Sequence, residues 1–339
     1  MGPTWQPWRP IPPLPHAVPF TSAVLAELLD GGQAFRWHAQ PDGSLEGQWS
    51  THHVRVRLAP DSPGTLEFTT PTTADMADAA AALHAYLSGP AADPDALPWR
   101  SDAHLAAAMA ACPGLRILRQ PFGETLLGFV CSATKQIVQI KQMMGLLASR
   151  HGRALPHGAR ALPTWDELAA VSEDQLRACA LGFRARHVAG IARHLAENPG
   201  WLDATEAAPY PEAKARLLTL PGVGEKIADC VLLFGAGRLE AFPVDTWIIK
   251  AMERRYGLED WKPAQIAHFG RRHFGPQAGL AQQYLFAYER AQKHPSPPPS
   301  PVPKTKYPIG LLCLWDGSRR KRAGLDLFAR MRLAWFRRP

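Results

Sequence analysis

The stretch Leu220-Pro221-Gly222-Val223-Gly224-Glu225-Lys226-Ile227-Ala228-Asp229-Cys230, followed by Phe242-Pro243-Val244-Asp245-Thr246-Trp247, places an amine and a carboxylate 19 positions apart. Lys226 comes two residues after Gly224, in the first turn of an expected helix, where the positive end of the helix dipole disfavours an ammonium. That matters because an amine is nucleophilic only when unprotonated. Asp245 stands just before another helical run, where it can cap that helix and present a carboxylate to the hairpin. A carboxylate so placed can stabilise positive charge that develops on a sugar as its base departs. Taken singly, Lys226 reads as an ordinary solvated helix lysine and Asp245 as an ordinary cap.

The glycines between the two helical segments add a second kind of chemistry. Gly222 and Gly224 allow a tight hairpin that exposes consecutive backbone N–H groups at the start of the next helix, while the apolar Val223 packs between the helices. Such a nest, backed by the helix dipole, suits a DNA phosphate. The run also resembles a phosphate-binding GxxxxGK[ST] loop, but it lacks that spacing and follows a helix instead of a strand.

Around these residues the chain divides by pattern. From about Phe20 to Thr70 it reads as strands, most clearly Val54-Arg55-Val56-Arg57-Leu58, which alternates apolar and polar as a half-buried strand does. Pro41-Asp42-Gly43 and Ser62-Pro63-Gly64 punctuate an antiparallel meander. A first helix is expected from near Thr73 to Gly89-Pro90. Beyond about residue 104 helical segments follow one another, at roughly 121–149, 165–180, 184–196, 211–219, 225–235, 246–256, 263–273 and 278–291. The expected organisation is a Pro/Trp-rich segment over 1–19, a sheet domain over 20–110, a helical domain over 111–290, and a Pro-rich linker with a disordered basic tail over 291–339.

The net charge of +8 is concentrated in that tail. Residues 291–339 hold 11 Lys/Arg against 2 Asp/Glu, leaving 27 basic and 28 acidic residues in the rest of the 339-residue chain. Affinity of the folded part for a polyanion must therefore come from local donors, with the tail adding a salt-sensitive term. The five cysteines are scattered without the spacing of a zinc site or an iron–sulfur cluster, so a reduced protein without metal or other cofactor is expected. No apolar run approaches the roughly 20 residues of a membrane span, and the N-terminus lacks the pattern of a secretion signal. A monomer inside the cell, wherever the genome lies, is the expected setting.

LPGVGEKIADC followed by FPVDT resembles the helix-hairpin-helix and Gly/Pro-Asp motif of the base-excision DNA glycosylases, and within that superfamily the 8-oxoguanine branch. GGQAFRW (Gly31 to Trp37), LRILRQPFGETLLGFVCS (Leu115 to Ser132), LGFRARHV (Leu181 to Val188) and AGLAQQYLF (Ala278 to Phe286) are similar to the same family, in its order, so the resemblance covers about residues 20 to 290. It implies an α+β fold in which an antiparallel, TATA-binding-protein-like sheet domain packs on an all-helical glycosylase domain. It also implies a partner, double-stranded DNA with a damaged purine flipped into the cleft. By the same resemblance Lys226 attacks C1′ and Asp245 assists. The Gly32 carbonyl accepts the N7 hydrogen that 8-oxoguanine has and guanine lacks, Gln282 reads the Watson–Crick edge, and Cys230 and Phe286 sandwich the ring.

The chain departs from the family pattern at the opposite base. Thr134 and Gln139 stand where an asparagine and an arginine are usual, and only Arg184 matches that recognition set. Trp247 replaces a histidine and Phe183 a tyrosine. The alkylpurine glycosylases of the superfamily keep the aspartate but not the lysine, so Lys226 speaks against that alternative. A non-catalytic DNA-binding module would leave the joint presence of Lys226, Asp245, Gly32 and Gln282 unexplained.

Overall fold

In the computed structural model, residues 2–15 and 19–293 are described; the expected disordered tail lies outside the described residues. Strands β1 (Arg9–Pro10), β2 (Trp37–Ala39), β3 (Leu45–Trp49), β4 (His52–Leu58) and β5 (Leu66–Thr69) form one antiparallel sheet in the order β1-β5-β4-β3-β2. The expected alternation holds in β4: Val54 and Val56 are fully buried, while Arg55 and Arg57 turn outward to pair with Glu46 and Glu67. Their guanidinium groups also lie over the rings of Trp5 and Trp8, at 4.3 and 4.1 Å, which pins the N-terminal segment along the sheet. The sheet thus draws its edge strand from the Pro/Trp-rich segment.

One element in the strand region is a helix instead. Helix α1 (Ser22–Asp30) precedes β2, so the first helix is not the one near Thr73. The reason is local: Thr21 caps it by accepting from the Val24 N–H, and Val24, Leu25, Leu28 and Leu29 repeat at helical spacing and are all buried. The Ala-rich helix α2 (Met76–Ser88) begins at its own cap, Asp75, and lies against β4.

The remaining helices are α3 (Ala103–Ala111), α4 (Phe122–Cys131), α5 (Ile137–His151), α6 (Trp165–Ala169), α7 (Glu173–Leu176), α8 (Arg184–Glu197), α9 (Trp201–Ala207), α10 (Tyr210–Leu217), α11 (Glu225–Phe234), α12 (Thr246–Tyr256), α13 (Pro263–Phe274) and α14 (Ala278–Lys293). The expected segment 121–149 is broken at 132–136, where Thr134 takes a φ of 55°, a left-handed turn that a continuous helix cannot contain. The segment 165–180 is likewise split, and Ala180 at φ 63° ends its last turn. Sheet and helices share a continuous hydrophobic core that runs from Val56 and Phe68 through Leu83 and Leu87 to Leu126, Leu127, Val231 and Leu285. Within it α4 packs on α11, and α14 on α3, α12 and α13, while α14 approaches α11 so closely at Gly279 that a Cβ there would fall 2.4 Å from the Leu233 side chain.

Candidate active site

Lys226 sits at the second position of α11, half-buried. Its Nζ donates to Ser132 Oγ at 3.3 Å and lies 5.3 Å from the centre of the Phe129 ring, so the amine is held against the end of α4. The Ser132 hydroxyl in turn donates to the Phe129 carbonyl at 2.7 Å, which leaves its oxygen lone pairs for the lysine. Neither Ser132 nor Phe129 carries a signal of its own in the sequence, although both fall inside the GFVCS motif.

Asp245 caps α12, its Oδ1 accepting from the Trp247 and Ile248 N–H groups at 3.0 and 2.9 Å. Burial raises its carboxyl above the usual carboxylate range, against the pull of the Ile248 N–H, the Lys226 charge, the Trp247 N–H and the Arg290 charge. The lysine charge acts on it through space, and the two groups form no contact ion pair. Cys230, one turn after Lys226, is buried, and burial pushes its thiol up to about 12. It is a neutral, apolar neighbour of the amine.

On α14, Gln282 and Phe286 lie one turn apart on the same face. Gln282 is only 3% exposed, and Gln283 Nε2 donates to its Oε1 at 2.7 Å, fixing the amide. Gln283 was not singled out by sequence, since a Gln-Gln pair reads as two equivalent amides. Phe286 is half-buried with Arg290 over its ring at 5.3 Å. Gly32 has a φ of +112°, and a Cβ built on it would come within 3.2 Å of Ile137 at the start of α5. The structure therefore joins Lys226, Cys230 and Asp245 electrostatically, and joins Phe286 to the glycine loop through Arg290, which also donates to the Gly31 carbonyl.

The hairpin follows from its glycines. Gly222 has a φ of +78°, and a Cβ there would fall 2.3 Å from His187 Nδ1, so the position is closed to a side chain on both counts. Val223 is buried, its N–H donating to the Leu220 carbonyl at 3.2 Å, and Gly224 caps α11 with no side-chain hydrogen bond, leaving the N–H groups of the first turn without an intrahelical partner. Beneath them Asp229, Lys214 and Tyr210 tie α11 to α10 by bonds of 2.8 to 2.9 Å. Burial raises the Asp229 carboxyl, Lys214 pulling the other way.

Thr134 and Gln139 are exposed at the two sides of the α4–α5 turn, beside Val138, which is 73% exposed. Arg184 is not exposed with them. It is 2% exposed, and its guanidinium donates to the carbonyls of Ala133 and Leu181 and to Thr134 Oγ1, while lying 4.3 Å over the Phe183 ring.

A helix-hairpin-helix that presents a lysine across from a helix-capping aspartate, backed by a five-stranded sheet, defines the class of base-excision glycosylase folds. Comparison with known proteins agrees. Residues 127–274 match the model of the HhH-GPD superfamily base excision DNA repair proteins, and residues 17–126 that of the 8-oxoguanine DNA glycosylase N-terminal domain. The Clostridium acetobutylicum 8-oxoguanine glycosylase/lyase in its apo form superposes with a TM-score of 0.70 at 31% identity, covering 78% of this chain and 92% of that one. The same enzyme with double-stranded DNA containing cytosine opposite 8-oxoguanine gives 0.71 at 29% identity over 79% and 92%. N-glycosylase/DNA lyase OGG1 of Arabidopsis thaliana is 34% identical over 191 residues, 52% of each chain. The chain spans about half or less of the length of the curated relatives it matches. It belongs to the HhH-GPD superfamily and, within it, to the 8-oxoguanine DNA glycosylases.

Proposed function

We propose that the protein is a bifunctional DNA glycosylase and AP lyase that excises oxidised purine, 8-oxoguanine above all, from duplex DNA in base excision repair. The observation that carries the reading is the half-buried Lys226 amine, held by Ser132 and facing a helix-capping Asp245 whose charge it feels without contact. Lys226 Nζ donates its lone pair to C1′ of the flipped nucleotide, and the C1′–N9 bond breaks with its electron pair leaving on the purine, which takes up a proton. The Asp245 carboxylate stabilises the positive charge on the sugar meanwhile. Loss of a proton from nitrogen and opening of the sugar ring give a Schiff base between Lys226 and C1′. Removal of a C2′ proton then expels the 3′ phosphate by β-elimination, and water releases the lysine.

In this reading the Gly32 carbonyl accepts the N7 hydrogen of the lesion, Gln282 reads the Watson–Crick edge and Phe286 and Cys230 flank the ring. The hairpin Gly222-Val223-Gly224 holds a backbone phosphate at the N–H groups that open α11. Thr134 and Gln139 meet the opposite strand, and Arg184 acts from below by holding the Thr134 turn. The relative from Clostridium acetobutylicum, solved with such a lesion opposite cytosine, supports the choice of substrate.

Borohydride added to the protein and a labelled duplex with one 8-oxoguanine opposite cytosine should trap a covalent adduct with the wild type and none with Lys226→Gln. Lys226→Gln should still bind the duplex. Excision retained by that variant would remove Lys226 as the nucleophile.

A further inference from the structure

Discrimination by the Gly32 carbonyl, on the reading proposed above, rests on one hydrogen bond, so it depends on how firmly that peptide is held. The loop has three attachments. On its C-terminal side the Gln33 amide donates to the Arg116 carbonyl at 2.9 Å and accepts from the Leu118 N–H at 3.0 Å, while the Gln33 carbonyl accepts from Gln120 at 2.6 Å. On its N-terminal side Asp30 pairs with Lys141 of α5 at 2.7 Å. The third attachment comes from α14: Arg290 Nη1 donates to the Gly31 carbonyl and to both Glu27 carboxylate oxygens, the latter at 3.0 and 3.2 Å. None of these bonds uses the Gly32 carbonyl.

Arg290 differs from the other two attachments in what else it touches. Its guanidinium lies 5.3 Å from the centre of the Phe286 ring. One group therefore meets both the lesion-reading loop and the ring platform. Gly31 is shaped for this contact, because a Cβ on it would fall 2.0 Å from the Glu27 carbonyl and 2.5 Å from Glu27 Oε1. Glu27, one turn earlier on α1, keeps the guanidinium in place; the pair is 22% and 25% exposed, so loss of either partner leaves a charge largely cut off from water.

We propose that Arg290, anchored by Glu27, is a positioning residue for lesion discrimination: it fixes the Gly31–Gly32 peptide against the Phe286 platform so that the Gly32 carbonyl meets the purine N7. The inference rests on the base-pocket reading given above. It separates two activities of the same Lys226, since excision of 8-oxoguanine needs the loop whereas cleavage at a preformed abasic site has no base to read.

The full-length wild type, Arg290→Gln, Arg290→Lys and Glu27→Gln are compared in three measurements: single-turnover excision of 8-oxoguanine, competition by the matching undamaged duplex, and β-elimination at an abasic site. Arg290→Gln should lower the preference for 8-oxoguanine over guanine by about tenfold, the factor expected for one misplaced hydrogen bond, with abasic-site cleavage falling by no more than about threefold. Arg290→Lys, able to pair with Glu27 but without a planar fork to reach Gly31 as well, should recover part of the preference. Glu27→Gln should show the same pattern as Arg290→Gln, more weakly, and thermal melting of all three identifies any variant that does not fold. A parallel fall in excision and abasic-site cleavage would reduce Arg290 to a general structural role and overturn the proposal. An unchanged preference in folded Arg290→Gln would also overturn it. A wild type that cleaves abasic sites but leaves 8-oxoguanine in place would instead bring down the pocket reading, and this proposal with it.

Discussion

Lys226 donates to the Ser132 hydroxyl at 3.3 Å, a bond that crosses from the first turn of α11 to the end of α4. Because Ser132 spends its own proton on Phe129, it receives from the lysine without competing for it. Ser132→Ala should leave duplex affinity in place and lower the single-turnover rate of excision by about three- to tenfold, the cost of a lysine with more freedom to rotate away. A KM that rises with an unchanged kcat would show that Ser132 acts on binding instead.

Asp245 combines a cap and a charge, and two substitutions separate them. Asp245→Asn keeps an oxygen for the Trp247 and Ile248 N–H groups, so it should cost little stability yet lower excision by about a hundredfold or more. Asp245→Ala removes the cap as well and should add a loss of about 1 kcal/mol in chemical denaturation. Equal activity in Asp245→Asn and wild type would remove the charge from the mechanism.

At Gly222 the backbone is left-handed and the His187 ring occupies the space of a side chain. Gly222→Ala should destabilise the protein by about 2 kcal/mol and, on the proposal that the hairpin holds a phosphate and not a base, weaken binding of undamaged duplex as well as of lesion DNA. His187→Ala placed on top should return only the part of the loss due to the clash, leaving the strain of the positive φ. Complete recovery would show that the backbone conformation costs nothing.

The Glu27 carboxyl is pushed up from 4.5 to about 7 by burial, with Arg290 on α14 pulling down and Asp30 on its own helix pushing up; Cys112, after α3, also lies within its field. Between 4.5 and about 7 the folded chain holds a proton that the unfolded chain has released, so this group's contribution to stability falls as pH rises through the window. Denaturant unfolding across that range should show a negative slope that Glu27→Gln flattens. The pair with Arg290 needs the ionised carboxylate, so preference for the lesion should strengthen in the opposite direction, as pH rises through 7. A slope that survives in Glu27→Gln would place the titration elsewhere.

What could be read in advance follows from how local each signal is. Helix α12 is bounded by Asp245 and Gly257, a cap and a left-handed stop, and the sequence expectation of 246–256 matches it residue for residue. Strand β4 announces itself by alternation alone. Helix α1 was missed because nine residues between turn signals give only two turns of periodicity, too few to stand out from neighbouring strands. The break after α4 depends on a left-handed Thr134, a conformation threonine rarely signals. In the candidate site, Lys226 and Asp245 lie in one motif. The bond between Arg290 and Glu27 joins residues 263 positions apart, beyond any local pattern. The burial of Arg184 is equally non-local, since it depends on the carbonyls that the α4–α5 turn offers to α8.

The short pairing of Arg9–Pro10 with β5, clamped by Trp5 and Trp8 on the arginines of β4, makes the segment from Trp5 to Pro10 a cover for the outer strand. A version trimmed to begin near Phe20 would bare the backbone of Leu66–Thr69 and offer it to other molecules as a template for sheet growth. A protein so trimmed should precipitate at concentrations that the untrimmed one tolerates, which light scattering across a concentration series would read.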